Sequence, residues 1–304
     1  MTTIVLNALA LLVTILLAFA VKSWGILRQE DGQTVAKIVV WVTLPATLIV
    51  GVNGFHLSAE VFALLGLGVL CNVLAMGLGY VVSGRETSAR RGLYLFNVGG
   101  YNIGNFTIPF VSSFFPVAIP FLAMFDMGNS LMVTGTTQGL VEGILGKRQQ
   151  GLDFRVIGRI LLKSPPFLTY MGMLVLAAVG VKLPSQVLVP VRFLASGNSF
   201  LSLFMIGLFM QFELRKLKAV WGILLARYAG AAVLSALCYF LLPFPSFVRE
   251  VLVLVLFCPI SFLTTIQAVQ FGADEGEAGL ASSLSMLLSL LFMSGIVMLF
   301  GLRT

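Results

Sequence analysis

The sequence predicts an all-α polytopic membrane protein, with ten transmembrane helices arranged as two inverted five-helix repeats. Three observations predict it. The 304 residues are 59% hydrophobic and only 10% charged, with a mean hydropathy of +1.03. Soluble domains are about 45–50% apolar and about 25% charged, so the solvent for most of this surface must be lipid. Ten apolar runs, most of them near the length of about 20 residues that a bilayer requires, fill almost the whole chain. The basic residues gather in alternate connections between those runs.

The runs lie at 4–21, 35–52, 61–82, 93–115, 117–140, 167–181, 191–210, 219–242, 248–271 and 280–302. The first is followed by Ala18-Phe19-Ala20, which resembles a signal-peptidase site. The stretch Met1–Asn7 carries no basic side chain, however, so the first run is expected to remain as a span. Odd-numbered connections hold Lys22, Arg28 and Lys37; Arg85, Arg90 and Arg91; Lys147, Arg148, Arg155, Arg159 and Lys163; and Arg215, Lys216 and Lys218. The even ones hold only Lys182, Arg192 and Arg249. Basic loops stay cytoplasmic, which places both termini outside, across a plasma membrane. The ninth connection is an acidic exception, with Asp274, Glu275 and Glu277. The same clustering argues against nucleic acid as a partner of the net +7 charge. Cys71, Cys238 and Cys258 all fall inside apolar runs and read as packing residues.

The longest connection, 143–166, divides the chain into a first repeat, 1–142, and a second, 167–304. Its stretch 152–163 reads either as a short helix on the lipid surface or as a plain basic linker. Each half has five spans, an odd number, so the second half must insert upside down relative to the first. Proline placement fits this symmetry. Pro109 stands in the middle of the fourth span and Pro259 in the middle of the ninth. Pro45 precedes the first by 64 residues, and Ala195-Ser196-Gly197 precedes the second by a similar gap.

The fourth span is polar: Asn97, Gly99, Gly100, Asn102, Gly104, Asn105 and Thr107 lead to Pro109. Proline removes a helical hydrogen bond, and in hydrocarbon the freed groups need partners. The run therefore reads as a broken helix beside a polar cavity, or as a glycine-lined packing face with an ordinary kink. The ninth span repeats the theme with Pro259, Ser261, Thr264, Thr265, Gln267 and Gln270. Asp126 is the acidic residue set well inside a span, with Asn129 and Ser130 on the same face. It reads as a proton or cation site, or as a structural carboxyl. Arg227 in the eighth span reads as a side chain that snorkels to the cytoplasmic interface, with a role at the substrate as the alternative. His56 reads as solvated. No phosphate-binding loop, nucleophile elbow or zinc pattern is present, so neither an enzyme nor a cofactor or metal site is expected.

Four segments resemble the auxin efflux carrier family. They are Leu44-Pro45-Ala46-Thr47-Leu48, the Asn/Gly run into Ile108-Pro109, Phe204-Met205-Ile206-Gly207-Leu208, and Cys258-Pro259 onward through Gln270-Phe271-Gly272-Ala273-Asp274 to Ala281-Ser282-Ser283-Leu284-Ser285. The resemblance implies a scaffold of spans 1, 2, 6 and 7 and a moving unit of spans 3–5 and 8–10. It also implies that spans 4 and 9 cross at Pro109 and Pro259, and that the protein forms a homodimer. The implied substrate is a small organic anion, bound near Asn102, Asn105, Thr107, Ser261 and Thr264 and facing Pro45, Ser196 and Asn198. Asp126, Asn129, Ser130, Gln267 and Gln270 are the implied coupling residues, with a proton favoured over sodium. The fold is also similar to bile-acid sodium symporters. Those pair an acidic residue with glutamine in the ninth helix, and here no Asp or Glu lies in that helix core. A channel and a ligand sensor that does not translocate are the other functional classes.

Overall fold

The computed structural model describes residues 2–56, 58–146 and 153–302, and every regular element among them is helical. In chain order the helices are α1 (Thr2–Ser23), α2 (Asp31–Val52), α3 (Ala59–Val82), α4 (Ser88–Val98), α5 (103–114) and α6 (Pro116–Ile144). They continue with α7 (Phe154–Leu161), α8 (Pro165–Ala178), α9 (Ser185–Phe209), α10 (Leu217–Leu241), α11 (Ser246–Leu256), α12 (Phe262–Gln270) and α13 (Glu275–Phe300). The chain is an all-α polytopic membrane protein. Helices α1, α2, α3, α6, α9, α10 and α13 are each long and apolar enough to cross a membrane. The sixth expected span, α8, is one arm of a pair with α7, bent by 82°. The fourth and ninth expected spans are not single helices: α4 and α5 share one, α11 and α12 the other.

Local chemistry sets many of these boundaries. Asp153 caps α7 by accepting the amides of Arg155 (2.8 Å) and Val156 (3.3 Å). This helix occupies the segment for which a surface helix and a plain linker were both open. Lys147, Arg148 and the expected helix start at 152 lie outside the described residues. Pro165 and Pro166 open α8, where a missing N–H costs nothing. Helix α9 begins directly after Pro184, earlier than its apolar run, so Arg192 sits within the helix rather than in the connection before it. Helix α13 likewise starts at Glu275. The acidic connection is largely its first turn, where Glu275 and Glu277 oppose the positive helix end. Upstream of Pro45 and Pro109 the helix widens to a π turn. The amide of Leu44 bonds the carbonyl of Val39, and that of Ile108 the carbonyl of Ile103. A proline ring clashes with the carbonyl four residues back, and a wider turn relieves the clash without ending the helix.

Helices α1, α2, α8 and α9 pack mainly on one another. Helices α3, α4, α6 and α10–α13 form a second group, and α5 lies against α9 between the two. Of the seven long helices α6 is the most enclosed, with every residue from Leu122 to Asn129 buried. Its contact with α3 depends on two glycines: a Cβ at Gly68 would run into the carbonyl of Phe125, and one at Gly128 into the carbonyl of Leu65. Backbones this close are the membrane form of tight packing. Gly68→Ala or Gly128→Ala is expected to push α3 from α6 and cost about 1–3 kcal/mol, seen as a lower melting temperature in detergent.

Candidate functional site

Two helix breaks lie against each other. Between α4 and α5 the chain extends through Gly99–Asn102, and between α11 and α12 through 257–261. Tyr101 and Ile260 pair antiparallel: the Asn102 amide donates to the Pro259 carbonyl (3.0 Å) and the Ser261 amide to the Gly100 carbonyl (3.1 Å). Gly100 has φ of +69°, and a Cβ there would collide with Thr264, so glycine is required twice over. Backbone groups that leave a helix inside an apolar protein must find partners, and here each break supplies the other.

Side chains satisfy most of the remainder. The Arg227 guanidinium is 2% exposed and donates to five carbonyls. Nη1 reaches Asn97 (2.8 Å), Val98 (3.2 Å) and Gly99 (2.9 Å), and Nη2 reaches Cys258 and Pro259 (both 2.9 Å). Asn97 and Val98 end α4, and Gly99, Cys258 and Pro259 lie in the breaks just past the ends of α4 and α11, beside the negative poles of two helix dipoles. The snorkelling expected of Arg227 is therefore overturned, because its charge is drawn inward to these poles. Asn72 Oδ1 accepts the Gly100 amide (2.9 Å). Asn129 accepts the Tyr101 amide (3.1 Å) and donates to the Tyr101 carbonyl (2.8 Å). Ser285 Oγ accepts the Ile260 amide (3.1 Å).

The crossing also moves relative to its expected position. The strand-like contact is at Gly100–Asn102, not at Pro109, which lies inside α5. A proline within a helix is absorbed by the π turn, whereas extended backbone needs glycine. The carbonyl of Pro109 accepts the Ser199 hydroxyl at 2.9 Å, which ties α5 to α9.

Beside the crossing is a cavity of about 510 Å³. One wall comes from the first helix group, with Gln29, Gln33, Met205, Phe209 and Gln211. The other comes from Asn105, Phe262, Thr265, Gln270, Glu275 and Ser282. The lining is rich in carboxamides and hydroxyls and contains no Lys, Arg or His. Asn105 Oδ1 and Ser282 Oγ are buried without a hydrogen-bond partner.

Of the residues singled out from the polar fourth and ninth spans, Asn105, Thr265 and Gln270 line this cavity. Asn102, Pro259, Ser261 and Thr264 are buried in the crossing itself. Thr107 is buried and donates to the Asn102 carbonyl (3.4 Å). Pro45 is half-buried in α2. Ser196 is exposed and bonded to the Phe193 carbonyl, and Asn198 is buried, accepting from Thr43 at 2.9 Å. The structure brings none of these last three to the cavity. Asp126 is buried and accepts from Tyr170 (2.7 Å) and Asn129 (2.9 Å). It has no ion pair with Arg227. Ser130 is half-buried on the same helix. Gln267 donates to the Val133 carbonyl (2.9 Å), leaving its Oε1 unpartnered. Gln29, Gln33 and Gln211 were missed. Their signal was faint: Gln29 and Gln33 share a face at a spacing of four, in what reads as a polar connection.

Near the mouth, Asp274 caps α13 through the Glu277 amide (2.8 Å) and takes a bond from Lys216 Nζ (2.6 Å). Lys216 and the cap hold its carboxyl below the usual range, and Asp274 and Glu213 raise Lys216.

No known family profile matches the chain. A protein of Methanocaldococcus jannaschii named an uncharacterized transporter is 27% identical over 229 residues, spanning 71% of this chain and 72% of that protein. Together with the many apolar helices, this similarity supports a multi-pass membrane transporter.

Two outcomes are expected. Arg227→Met strands four carbonyls, those of Asn97, Val98, Gly99 and Cys258, while Pro259 keeps the Asn102 amide; each costs about 1–3 kcal/mol when buried without a partner. It should yield no monodisperse protein by size exclusion, and Arg227→Lys, with three donors for five acceptors, should be rescued only in part. A carboxyl with a depressed pKa stabilises the fold above its ordinary value and loses that contribution as pH falls through the folded value. The melting curves of the wild type and Asp274→Ala should therefore separate at neutral pH, by about 1 kcal/mol for a lost cap, and converge below about pH 4.

Proposed function

We propose that this chain is a secondary transporter of small organic anions, related to the auxin efflux carriers, working by elevator-type alternating access. One observation carries the reading. At the paired breaks, both negative helix ends are covered by Arg227, while the first turns of α5 and α12 supply Asn105, Phe262 and Thr265 to the cavity wall. Those turns carry the positive dipole ends and unused amides that attract a carboxylate. The carboxamides of Asn105 and Gln270 add neutral donors, so an anion is held without a fixed cation. Release then needs no ion pair to be broken.

The cavity lies between the two helix groups, as an elevator requires. In this reading α1, α2, α8 and α9 are the scaffold, and the other group carries the site across. The cavity mouth bears Gln29 and Glu275 next to the basic connections, so the reading makes this a cytoplasm-facing state in a bacterial inner membrane, with both termini outside. A homodimer through the scaffold completes it. Asp126, Asn129 and Ser130 are assigned to proton coupling. Sodium is the second reading, favoured by the unpartnered Oε1 of Gln267 beside α6.

The test is uptake into proteoliposomes. Saturable entry of labelled mono- and dicarboxylates is expected, with Asn105→Ala weakening apparent affinity about tenfold, the equivalent of about 1.4 kcal/mol. Asp126→Asn is expected to remove the response of uptake to an imposed pH gradient. Currents that never saturate would identify a channel instead. Ligand binding without flux would identify a sensor.

A further inference from the structure

The Asp126 carboxyl is held from both helix groups at once. Asn129, on its own helix, donates to Oδ1 (2.9 Å), and Tyr170, from α8 in the first group, donates to Oδ2 (2.7 Å). Both ends are closed to solvent: Asp126 is 7% and Tyr170 2% exposed. The contact sits on the seam between the groups, where Val52, Phe55 and Leu174 face Pro120, Ala123 and Met127 across a narrow void. Around this contact the seam is apolar, and apolar surfaces slide past one another without a discrete preference for register. Elsewhere the groups meet through the Gln211 amide on Ser283 Oγ (2.9 Å), at the other side of the cavity. A directional bond between buried groups favours one register on this side.

The carboxyl is also wired to the crossing. Asn129 uses its remaining capacity on the amide and carbonyl of Tyr101 (3.1 and 2.8 Å), and its Oδ1 also accepts from Asn72 (3.2 Å), which holds the Gly100 amide. Asp126 Oδ2 lies beside Gly104, in the first turn of α5. The titratable groups facing Asp126 are Tyr170 from α8 and Cys258 from the second break, while Arg227 lies beyond Cys258 on the carbonyls.

We propose that Tyr170 is a positioning residue: its hydroxyl latches the α1–α2–α8–α9 group to Asp126 and holds the molecule in the state with the cavity open. Moving one group past the other takes Tyr170 away and leaves the carboxyl a donor short. The same carboxyl lies beside the turn of α5 whose Asn105 lines the cavity, so the latch and the cavity share one turn. The inference rests on the transporter reading for its purpose, but its geometry and its test need no substrate.

The experiment introduces a reporter thiol in the seam, Ala123→Cys, in lipid nanodiscs. Alkylation by a small aqueous reagent is followed peptide by peptide by mass spectrometry. Cys71, Cys238 and Cys258 are buried, stay in place, and report general loosening. When opening is rare and fast, labelling scales with the open-seam population. Adding Tyr170→Phe should raise labelling of the introduced thiol about 3- to 10-fold, the equilibrium equivalent of one buried hydrogen bond. The native cysteines should not change. Asp126→Ala should give the same rise, and the double variant no more. An unchanged rate, or a parallel rise at all four thiols, overturns the latch. Failure of carboxylate uptake would instead count against the transporter reading and leave this result standing.

Discussion

The arrangement depends on one guanidinium. Two helices can stop inside an apolar protein only if the carbonyls at and just past their ends are met, and Arg227 meets five of these from a third helix. A buried cation usually needs a carboxylate partner. Here the partners are two helix dipoles, whose combined negative ends supply about one opposite charge. Arginine is the residue suited to this, because its planar fork offers five donors in fixed directions. The aromatic face of Tyr101, 5.3 Å from the guanidinium carbon, gives further support.

The same geometry separates stability from chemistry. The helix C-terminus that enters each break is closed by Arg227, and the extended residues bond one another or Asn72, Asn129 and Ser285. The helix N-terminus that leaves it carries a turn whose side chains reach the cavity. The polar residues of the fourth and ninth spans thus divide into those that keep the break intact and those that face the space beside it.

That division explains what the sequence made legible. Composition and the length of the apolar runs exposed the membrane-spanning helices, because lipid solvation acts on every surface residue. The clustered Asn and Gly of 97–105 and the prolines at 109 and 259 located the paired breaks to within a turn or two. They pointed to the prolines, whereas the extended backbone belongs to Gly100, since a positive φ needs glycine and a π turn can absorb Pro109. Arg227 was misread because hydropathy along one helix does not reveal acceptors on two others. Ser196 and Asn198 were chosen by position in the repeat, but helix rotation points Ser196 outward and Asn198 to Thr43. The glutamines at 29, 33 and 211 gave no signal above that of ordinary loops.

The widened turns before Pro45 and Pro109 have a consequence for how this chain tolerates change in length. Each holds one residue more than a regular helical turn, and each residue advances an α-helix by about 100°. Deleting a single residue between Ile103 and Thr107 would let the turn tighten to a regular one while the helix beyond it keeps its place, so Ser113 and the Pro109 carbonyl would still meet Ser199. What the deletion would restore is the clash between the proline ring and the carbonyl four residues back. The extra residue is therefore a spacer for the proline rather than a register mark, and related chains that lack it should also lack Pro109.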